Sequence, residues 1–408
     1  MSIKTRIENY RQLLKFRKPI VNTIDRRLAK AHTIYDLRAI AKKVTPIGPF
    51  DYTDGAAESE ISLKRARAAF ADIEFQPKIL RDVSAVDLTV ELLGKRMNLP
   101  VGIAPTGFTR MMHSDGEIAA SKIAERLGIP FALSTVGTTS IERVSQSAPN
   151  GSNWFQLYLW RDREKSLALI ERAKNAGYEG LILTVDAQVA GQRLRDVRNG
   201  LTIPPTLSVN TILNALPRTQ WWWNFLVKEP LVFASLESWN GTVAELMNTM
   251  FDPTMTFADL RWIRKVWDGK LIVKGIQNVD DAKLSLQNGA SAVWLSNHGG
   301  RQLDRAPIPF HLLPEVRKAV GNSVEIHMDT GIMHGADIIA AIAKGANFTW
   351  VGRAYLYGLM AGGARGVEKS FEILESQMIR TMKLLGVNSI SELNPEIVKY
   401  LSERKIRE

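Results

Sequence analysis

The feature that most constrains this chain is a rhythm. Beyond about residue 95, short apolar, β-branched runs alternate with segments of helical periodicity. Eight runs occur: 100–106 PVGIAPT, 130–135 PFALST, 153–159 NWFQLYL, 180–186 GLILTVD, 270–276 KLIVKGI, 291–297 SAVWLSN, 323–329 SVEIHMD and 347–353 NFTWVGR. They are almost continuously apolar, as strands covered on both faces must be, and such strands joined by helices form a parallel sheet. Helical patterns over 115–128, 162–177, 279–289 and 335–345 fall between them, each ending in Gly, a frequent helix stop. A helix over 33–43 is also predicted, with Thr33 as N-cap and Ile34, Leu37 and Ile40 on one face. Eight β/α units predict an α/β chain folded as a (β/α)8 TIM barrel. The 408 residues then divide into a basic N-terminal helical extension over 1–45, the barrel over 46–395 and a tail over 396–408.

One unit breaks the rhythm. More than eighty residues separate Asp186 from Lys270, and a helix near 257–266 accounts only for their end. The insertion over 200–255, the fourth loop, holds Trp221, Trp222 and Trp223 amid large apolar residues. A loop of this length in a compact domain is usually functional. Two readings stand: a membrane-interface segment, or a lid or subunit contact that buries the rings.

Charge sharpens the first reading. Of the formal +11, residues 1–43 hold twelve Lys and Arg against three Asp and Glu. Such an arm suits an anionic membrane surface, a subunit contact or simple solvation. No zinc-finger spacing or RNA-binding aromatic motif accompanies it, so nucleic acid is not expected as a partner. There is no cysteine, which excludes disulfides and thiolate metal sites, and no metal is expected. The opening MSIKTRIENYRQLLKFRKPIV lacks a signal-peptide core, and no run approaches ~20 apolar residues, so the expected location is cytoplasmic, with peripheral attachment to the inner face of the cell membrane on the first reading.

A barrel of this type carries its site where strands end and βα loops begin. The polar residues there form a set: Thr106 after Ala104 and Pro105, Ser134, Gln156 and Tyr158, Thr184 and Asp186, Lys274, Ser296 with His298 and Arg301, Asp329 with Gly331, and Gly352 with Arg353. His298 is the candidate general base and Asp186 the carboxylate that orients it. Arg301 and Arg193 are candidates for gripping a carboxylate. Lys274 ends an apolar strand and needs an anionic partner. The DTG and VGR turns fit the phosphate site often found after strands seven and eight. His327, inside a strand, reads as a packed core residue. A phosphorylated cofactor and a small acid substrate are implied.

These residues resemble the FMN-dependent 2-hydroxy-acid dehydrogenases and oxidases. SNHGGRQLD (296–304), FQLY, LTVD and the Lys274–Gly275 turn carry the resemblance, which spans roughly 33–395. DYTDGAAES, LSTVGTTSIE, WFQLYLWRDR, FDPTMTFADLRWIR and GRAYLYGLMAGG are similar to the bacterial membrane-associated L-lactate dehydrogenases within that family. The resemblance implies FMN as cofactor, with L-lactate oxidised to pyruvate and electrons passed to a membrane quinone or another acceptor. Oxidation of mandelate or glycolate, oxygen-using lactate oxidation and a non-catalytic binding barrel are the alternatives. It further implies His298 as base, taking either the α-proton or the hydroxyl proton, with Asp186 as its partner. Tyr52, Tyr158, Arg193 and Arg301 would bind substrate, and Lys274 would stand near flavin N1. Ala104, Pro105, Thr106, Ser134, Gln156, Thr184 and Ser296 would contact flavin, and Asp329, Gly331, Met333, Gly352 and Arg353 its ribityl-phosphate end. A homotetramer is implied as well.

Three positions depart from the family pattern. Met333 replaces an arginine common in that turn, leaving Arg353, backbone N–H groups and His334 to meet the phosphate. Val136 replaces the tryptophan of plant glycolate oxidases, which widens the substrate side. Ala56 replaces a glycine near Tyr52. The glycines after His298 are expected to let the backbone pass close to a ligand, and Asp304 to pin the loop.

Overall fold

A computed structural model describes residues 20–200, 216–227 and 250–401. Residues 1–19 of the basic arm and most of the fourth loop lie outside the described residues. Twelve strands occur among the described residues: β1 Ile73–Phe75, β2 Val90–Leu92, β3 Lys95–Met97, β4 Val101–Ile103, β5 Phe131–Ser134, β6 Asn153–Leu157, β7 Gly180–Thr184, β8 Lys270–Ile276, β9 Ala292–Leu295, β10 Glu325–Met328, β11 Phe348–Val351 and β12 Val398–Tyr400. Strands β4 to β11 close a parallel barrel in sequential order, each falling on one of the eight predicted runs.

Side-chain volume explains how the barrel closes. Its interior is filled by Trp154, Trp294, Trp350, Phe348 and small residues such as Ala104 and Ala132. Trp154 on β6 pairs in register with Gly180 on β7, and Trp350 on β11 with Gly102 on β4. A Cβ at Gly180 would meet the Trp154 ring at 2.7 Å, and one at Gly102 the Trp350 ring at 2.8 Å. Trp154 and Trp350 therefore each lie over a strand neighbour that has no side chain, the large–small complementarity that close packing demands. His327 sits among these rings, fully buried. Burial lowers its pKa, with Glu325 opposing, and its Nδ1 accepts from Trp350 Nε1 at 3.4 Å. It is a core residue, as its place inside a strand predicts. The β2–β3 hairpin plugs the N-terminal mouth with Leu92 and Met97.

Among the described residues, four helices precede the barrel: α1 Thr23–Leu28, α2 Ile34–Val44, α3 Ile47–Asp54 and α4 Ile61–Ala71. Thr33 caps α2 through a reciprocal box with Asp36, and Ile34, Leu37 and Ala41 bury its apolar face. The crossover helices are α5 Gly116–Leu127, α6 Ile141–Ser147, α7 Arg163–Asn175, α8 Phe257–Val266, α9 Val279–Gln287, α10 Pro309–Val320, α11 Gly335–Ala343 and the long α12 Arg353–Leu385, against which α2 packs.

The chain end needs correction. The region after 395 reads as a tail in the sequence, yet β12 pairs antiparallel with β1, Ile73 facing Tyr400. Gln76 N–H also donates to Ile397 O at 2.8 Å. Sheet pairing therefore continues through residue 400. In the fourth loop, Thr219–Val227 is helical, and Trp221 Nε1 donates to Met111 O at 3.0 Å. Trp223 stays 68% exposed. No described helix is long and apolar enough to cross a membrane.

Candidate active site

The C-terminal strand ends open into a cavity of about 550 Å³. His298 stands just past β9. Its Nδ1 lies 3.0 Å from Asp186 Oδ1, and Asp186 in turn stands two residues beyond β7, its side chain 2% exposed. Burial pulls the Asp186 carboxyl upward, but His298, with Lys274 behind, outweighs it and holds the group below its ordinary range. Asp186 is therefore an anion and His298 Nδ1 carries its proton toward it, which turns Nε2 to Tyr158 Oη at 3.4 Å. Burial first, then Asp186 and Tyr52, push the Tyr158 phenol up, so Tyr158 keeps its O–H. The contact holding Asp186 in place comes from β8: Gly275 has φ +108°, and a Cβ there would meet Asp186 Cβ and Cγ at 2.8 Å.

Ser296 serves two neighbours. Its Oγ accepts from His298 N–H at 3.0 Å and from Lys274 Nζ at 3.1 Å. Lys274, 4% exposed, finds the anionic partner its position requires in Asp329, Nζ to Oδ2 3.4 Å. Asp329 is thus engaged with Lys274 and with Thr330, whose hydroxyl donates to it at 2.8 Å.

The arginines divide into two kinds. Arg193 and Arg301 gather at the Tyr52 ring, their guanidinium carbons 5.3 and 4.6 Å from its centroid. Arg193 pairs with Asp196 at 2.8 Å. Arg301 donates to the carbonyls of Tyr52 and Gly55 and has no carboxylate partner among the described residues. Burial, and next the like charge of Arg193, push its pKa down to about 10. Two crowded cations with one unpaired call for an anion between them. Arg195, by contrast, is structural, bound to Asp54 and Glu60 at 2.9 and 2.5 Å.

Ala104, Pro105, Thr106, Ser134, Gly331, Met333, Gly352 and Arg353 line the cavity with Tyr52, Tyr158, Arg193, Lys274, His298, Arg301 and Asp329, and Asp186 stands behind His298. Gln156, Thr184 and Ser296 stand one layer behind. Gln156 Oε1 accepts from Ser134 Oγ at 3.1 Å, and Thr184 pairs in register with Lys274. Gln156 Nε2 and Thr184 Oγ1 are buried with no hydrogen-bond partner among the described residues. Orphaned polar atoms at adjacent strand ends, an apolar floor and a cationic far end fit a flavin ring with a phosphorylated side chain. Two residues expected at that far end are already engaged with the protein. His334 does not line the cavity; it caps α11, its Nδ1 accepting from Ala336 N–H at 3.0 Å. Arg353 does line it, but its Nε, Nη1 and Nη2 donate to the carbonyls of Thr53, Gly299 and Gly55 at 2.9, 2.9 and 2.7 Å.

Sequence reasoning overlooked several residues here. Asp54 is a buried hub whose oxygens accept from Arg38, Arg195 and Tyr357. Burial raises its carboxyl, but Arg38, Tyr357 and Arg195 together hold it low. Gln302 ties the loop after β7 to the loop after β9, donating to Asp186 O at 3.2 Å and Val189 O at 2.9 Å and accepting from Gly191 N–H at 3.0 Å. Phe251 lines the cavity edge-on to Tyr158 at 5.3 Å. All three lie in quoted motifs, but their contacts are made across the fold.

The family model for FMN-dependent dehydrogenase matches residues 41–400. A putative L-lactate dehydrogenase of Mycobacterium tuberculosis H37Rv is 56% identical over 396 residues, 97% of this chain and 96% of the relative. An L-lactate dehydrogenase of Vibrio cholerae El Tor N16961 is 38% identical, covering 88% of this chain and 96% of the relative. Among solved structures, the monotopic membrane protein (S)-mandelate dehydrogenase superposes with a TM-score of 0.86 at 36% identity, over 91% of this chain and all of that one. A barrel with a His–Asp pair at its strand ends, a flavin-sized cavity and this breadth of similarity agree: the chain belongs to the FMN-dependent dehydrogenase family.

Proposed function

We propose that this dehydrogenase oxidises L-lactate to pyruvate, with its binding and proton-handling groups as follows. The observation that carries the reading is the His298–Asp186 pair beside a cavity where Arg301 lacks a carboxylate partner among the described residues. Arg301 and Arg193 grip the substrate carboxylate, with Tyr52 beside them. Tyr158 holds the substrate hydroxyl next to His298 Nε2. The imidazole takes the proton that leaves the substrate, whether from Cα or from oxygen, and Asp186 stabilises the resulting imidazolium. Lys274, Ser134, Gln156 and Thr184 hold the isoalloxazine, and bound FMN supplies the two-electron acceptor. L-Lactate is placed first because the relatives of highest identity quoted above carry that name; Val136, small at the cavity wall, keeps aryl acids such as mandelate as the second reading, which the mandelate dehydrogenase neighbour also supports.

The test is anaerobic bleaching of the bound flavin across a panel of 2-hydroxy acids, followed by reoxidation with oxygen or a quinone analogue. Fastest bleaching by L-lactate and faster return with the quinone are expected. Bleaching by mandelate alone would replace the substrate, and no bleaching by any acid would refute the reading.

The reading extends to location and assembly. The exposed Trp223, its two neighbouring tryptophans and the basic arm support peripheral contact with the inner face of the cell membrane and a quinone acceptor. Deleting residues 206–250 should release the protein from membrane pellets while flavin stays bound. If the full chain never pellets with membranes, the interfacial reading fails. The homotetramer rests on family resemblance, and light scattering of the purified chain tests it.

A further inference from the structure

The phosphate end of the cavity is formed by Gly331, Ile332, Met333 and Gly352, beyond β10 and β11. A phosphate dianion there needs cations as well as N–H groups. The strand-end loops supply few. Met333 is apolar and its N–H already donates to Asp337 Oδ2 at 2.9 Å. His334 is spent as a helix cap, and three N–H groups of Arg353 are held by carbonyls. Of the other cations that line the cavity, Arg38 and Arg195 are paired with Asp54 and Glu60, and Lys64 and Arg67 come from α4, which packs on the loops after β9 and β10.

Helix α4 is pressed onto the loops. Ala66 O would lie 2.8 Å from a Cβ at Gly331, and Leu63 N 3.0 Å from one at Gly300. Asp304 Oδ1 accepts from Ser62 N–H at 2.8 Å and fixes the helix start. From this helix Lys64 and Arg67, one turn apart, both reach the cavity lining. Arg67 Nη1 donates to Gly331 O and to Asp337 Oδ2, the latter at 2.5 Å. Its guanidinium is therefore oriented at the turn where the phosphate end begins. Both of its hydrogen bonds leave from Nη1, and its side chain is 31% exposed. Asp337 adds a reason for Arg67 to be there: a carboxylate at the N-terminus of α11 would repel a nearby phosphate unless a cation stood between them.

We propose that Arg67, seconded by Lys64, is the phosphate-binding cation of this protein, delivered by α4 rather than by the loop after β10. The proposal rests on FMN occupying this cavity. It assigns α4 a role in cofactor selection: Arg67 discriminates FMN from the unphosphorylated riboflavin.

The test compares FMN with riboflavin on the full-length chain stripped of flavin, reading dissociation constants from quenching of flavin fluorescence. Arg67→Met is expected to weaken FMN roughly ten- to a hundredfold, the usual range for loss of a charge-assisted bond, and to leave riboflavin unchanged. The double variant Arg67→Met/Met333→Arg is expected to recover the preference for FMN, because it returns a guanidinium to the same end from the other side. Raising salt should weaken FMN binding less in Arg67→Met than in the parent. If Arg67→Met binds FMN as the parent does, the proposal is overturned. Equal losses for FMN and riboflavin overturn it too, since they mean that Arg67 only holds α4 in place. A parent chain that binds neither flavin overturns the FMN reading itself, a result distinct from either of these.

Discussion

Replacing Asp186 by Asn isolates the charge behind His298 without changing the shape of the site. The oxygen to nitrogen distance is 3.0 Å and the carboxylate is buried. At an effective dielectric of about 20, unit charges at that distance attract by roughly 5–6 kcal/mol, which bounds the effect from above. Asn retains an acceptor for the Nδ1 proton, and Lys274 keeps Asp329 as its partner, so the loss falls near the ~3–5 kcal/mol typical of a broken buried pair. That loss is felt only when the imidazole becomes positive, hence in the transition state and not in the bound substrate. At about 1.36 kcal/mol per decade, anaerobic flavin reduction slows by roughly two to four orders of magnitude. Stopped-flow bleaching at saturating 2-hydroxy acid measures it, with flavin content and KM as controls. Both controls should hold steady, since Asp186 touches neither the proposed carboxylate grip nor the phosphate end. A reduction rate within about tenfold of the parent would show that the carboxylate does not stabilise a cationic His298, and the proposed proton step would fall.

Three further outcomes follow from the same geometry. Arg301→Met should cut kcat/KM for the acid by roughly two to three orders of magnitude, mostly through KM, because it removes a charge-assisted grip of about 3 kcal/mol or more; unchanged steady-state constants would remove Arg301 from the substrate. Gly275→Ala should slow flavin reduction and lower Tm together, since the new methyl needs the space of Asp186 at a left-handed φ; full activity would show that Asp186 is not fixed by this contact. Asp54→Asn should destabilise the fold by ~3–5 kcal/mol at neutral pH in urea unfolding, leaving Arg38 short of its anion while Arg195 keeps Glu60. Asp54 has a depressed folded pKa, so its contribution is present above the unfolded value of about 3.9 and is lost as pH falls through the folded one. The gap between variant and parent should therefore narrow in acid, and a gap independent of pH would contradict the ionic origin.

The parts legible in the sequence were those written locally. Apolar runs give the eight barrel strands because each strand buries both faces by itself, and alternate polar residues at their ends give Gln156 with Tyr158 and Thr184 with Asp186. What stayed hidden depends on pairings between distant segments. The Trp154–Gly180 and Trp350–Gly102 neighbours are visible only once strand register is known. The strand Val398–Tyr400 is three residues long and has no periodicity to announce it; its reason to exist is Ile73–Phe75, far earlier in the chain. Asp54 joins α2, α3, the helix Leu194–Arg198 and α12, and no window of sequence contains two of its basic partners. His334 carries the right charge type in the right neighbourhood for a phosphate, but as the residue before α11 it meets the nearer demand of a free helix N–H.

The loop after β9 joins the two kinds of information. Its glycines suggest room for a ligand, yet their contacts are protein: a Cβ at Gly299 would meet Arg353 Nη1 at 2.6 Å, and one at Gly300 the backbone of α4. What the pair permits is a run of three left-handed residues, His298, Gly299 and Gly300, at φ 57°, 65° and 75°. For His298 that conformation costs about 1–2 kcal/mol, because its Cβ crowds the following carbonyl. The cost is met by a closed set of bonds: Ser296 Oγ accepts the His298 N–H, Asn297 Oδ1 accepts Gly300 N–H at 3.0 Å, Thr330 Oγ1 accepts Gly299 N–H at 3.2 Å, and Asp304 locks the far side onto Ser62. The strain fixes the direction in which the imidazole leaves the backbone, toward Asp186 on one nitrogen and the substrate space on the other. Asp304 adds to this set from outside by anchoring the loop to the start of α4, and in this sense a reactive group is preorganised by residues that never touch its substrate.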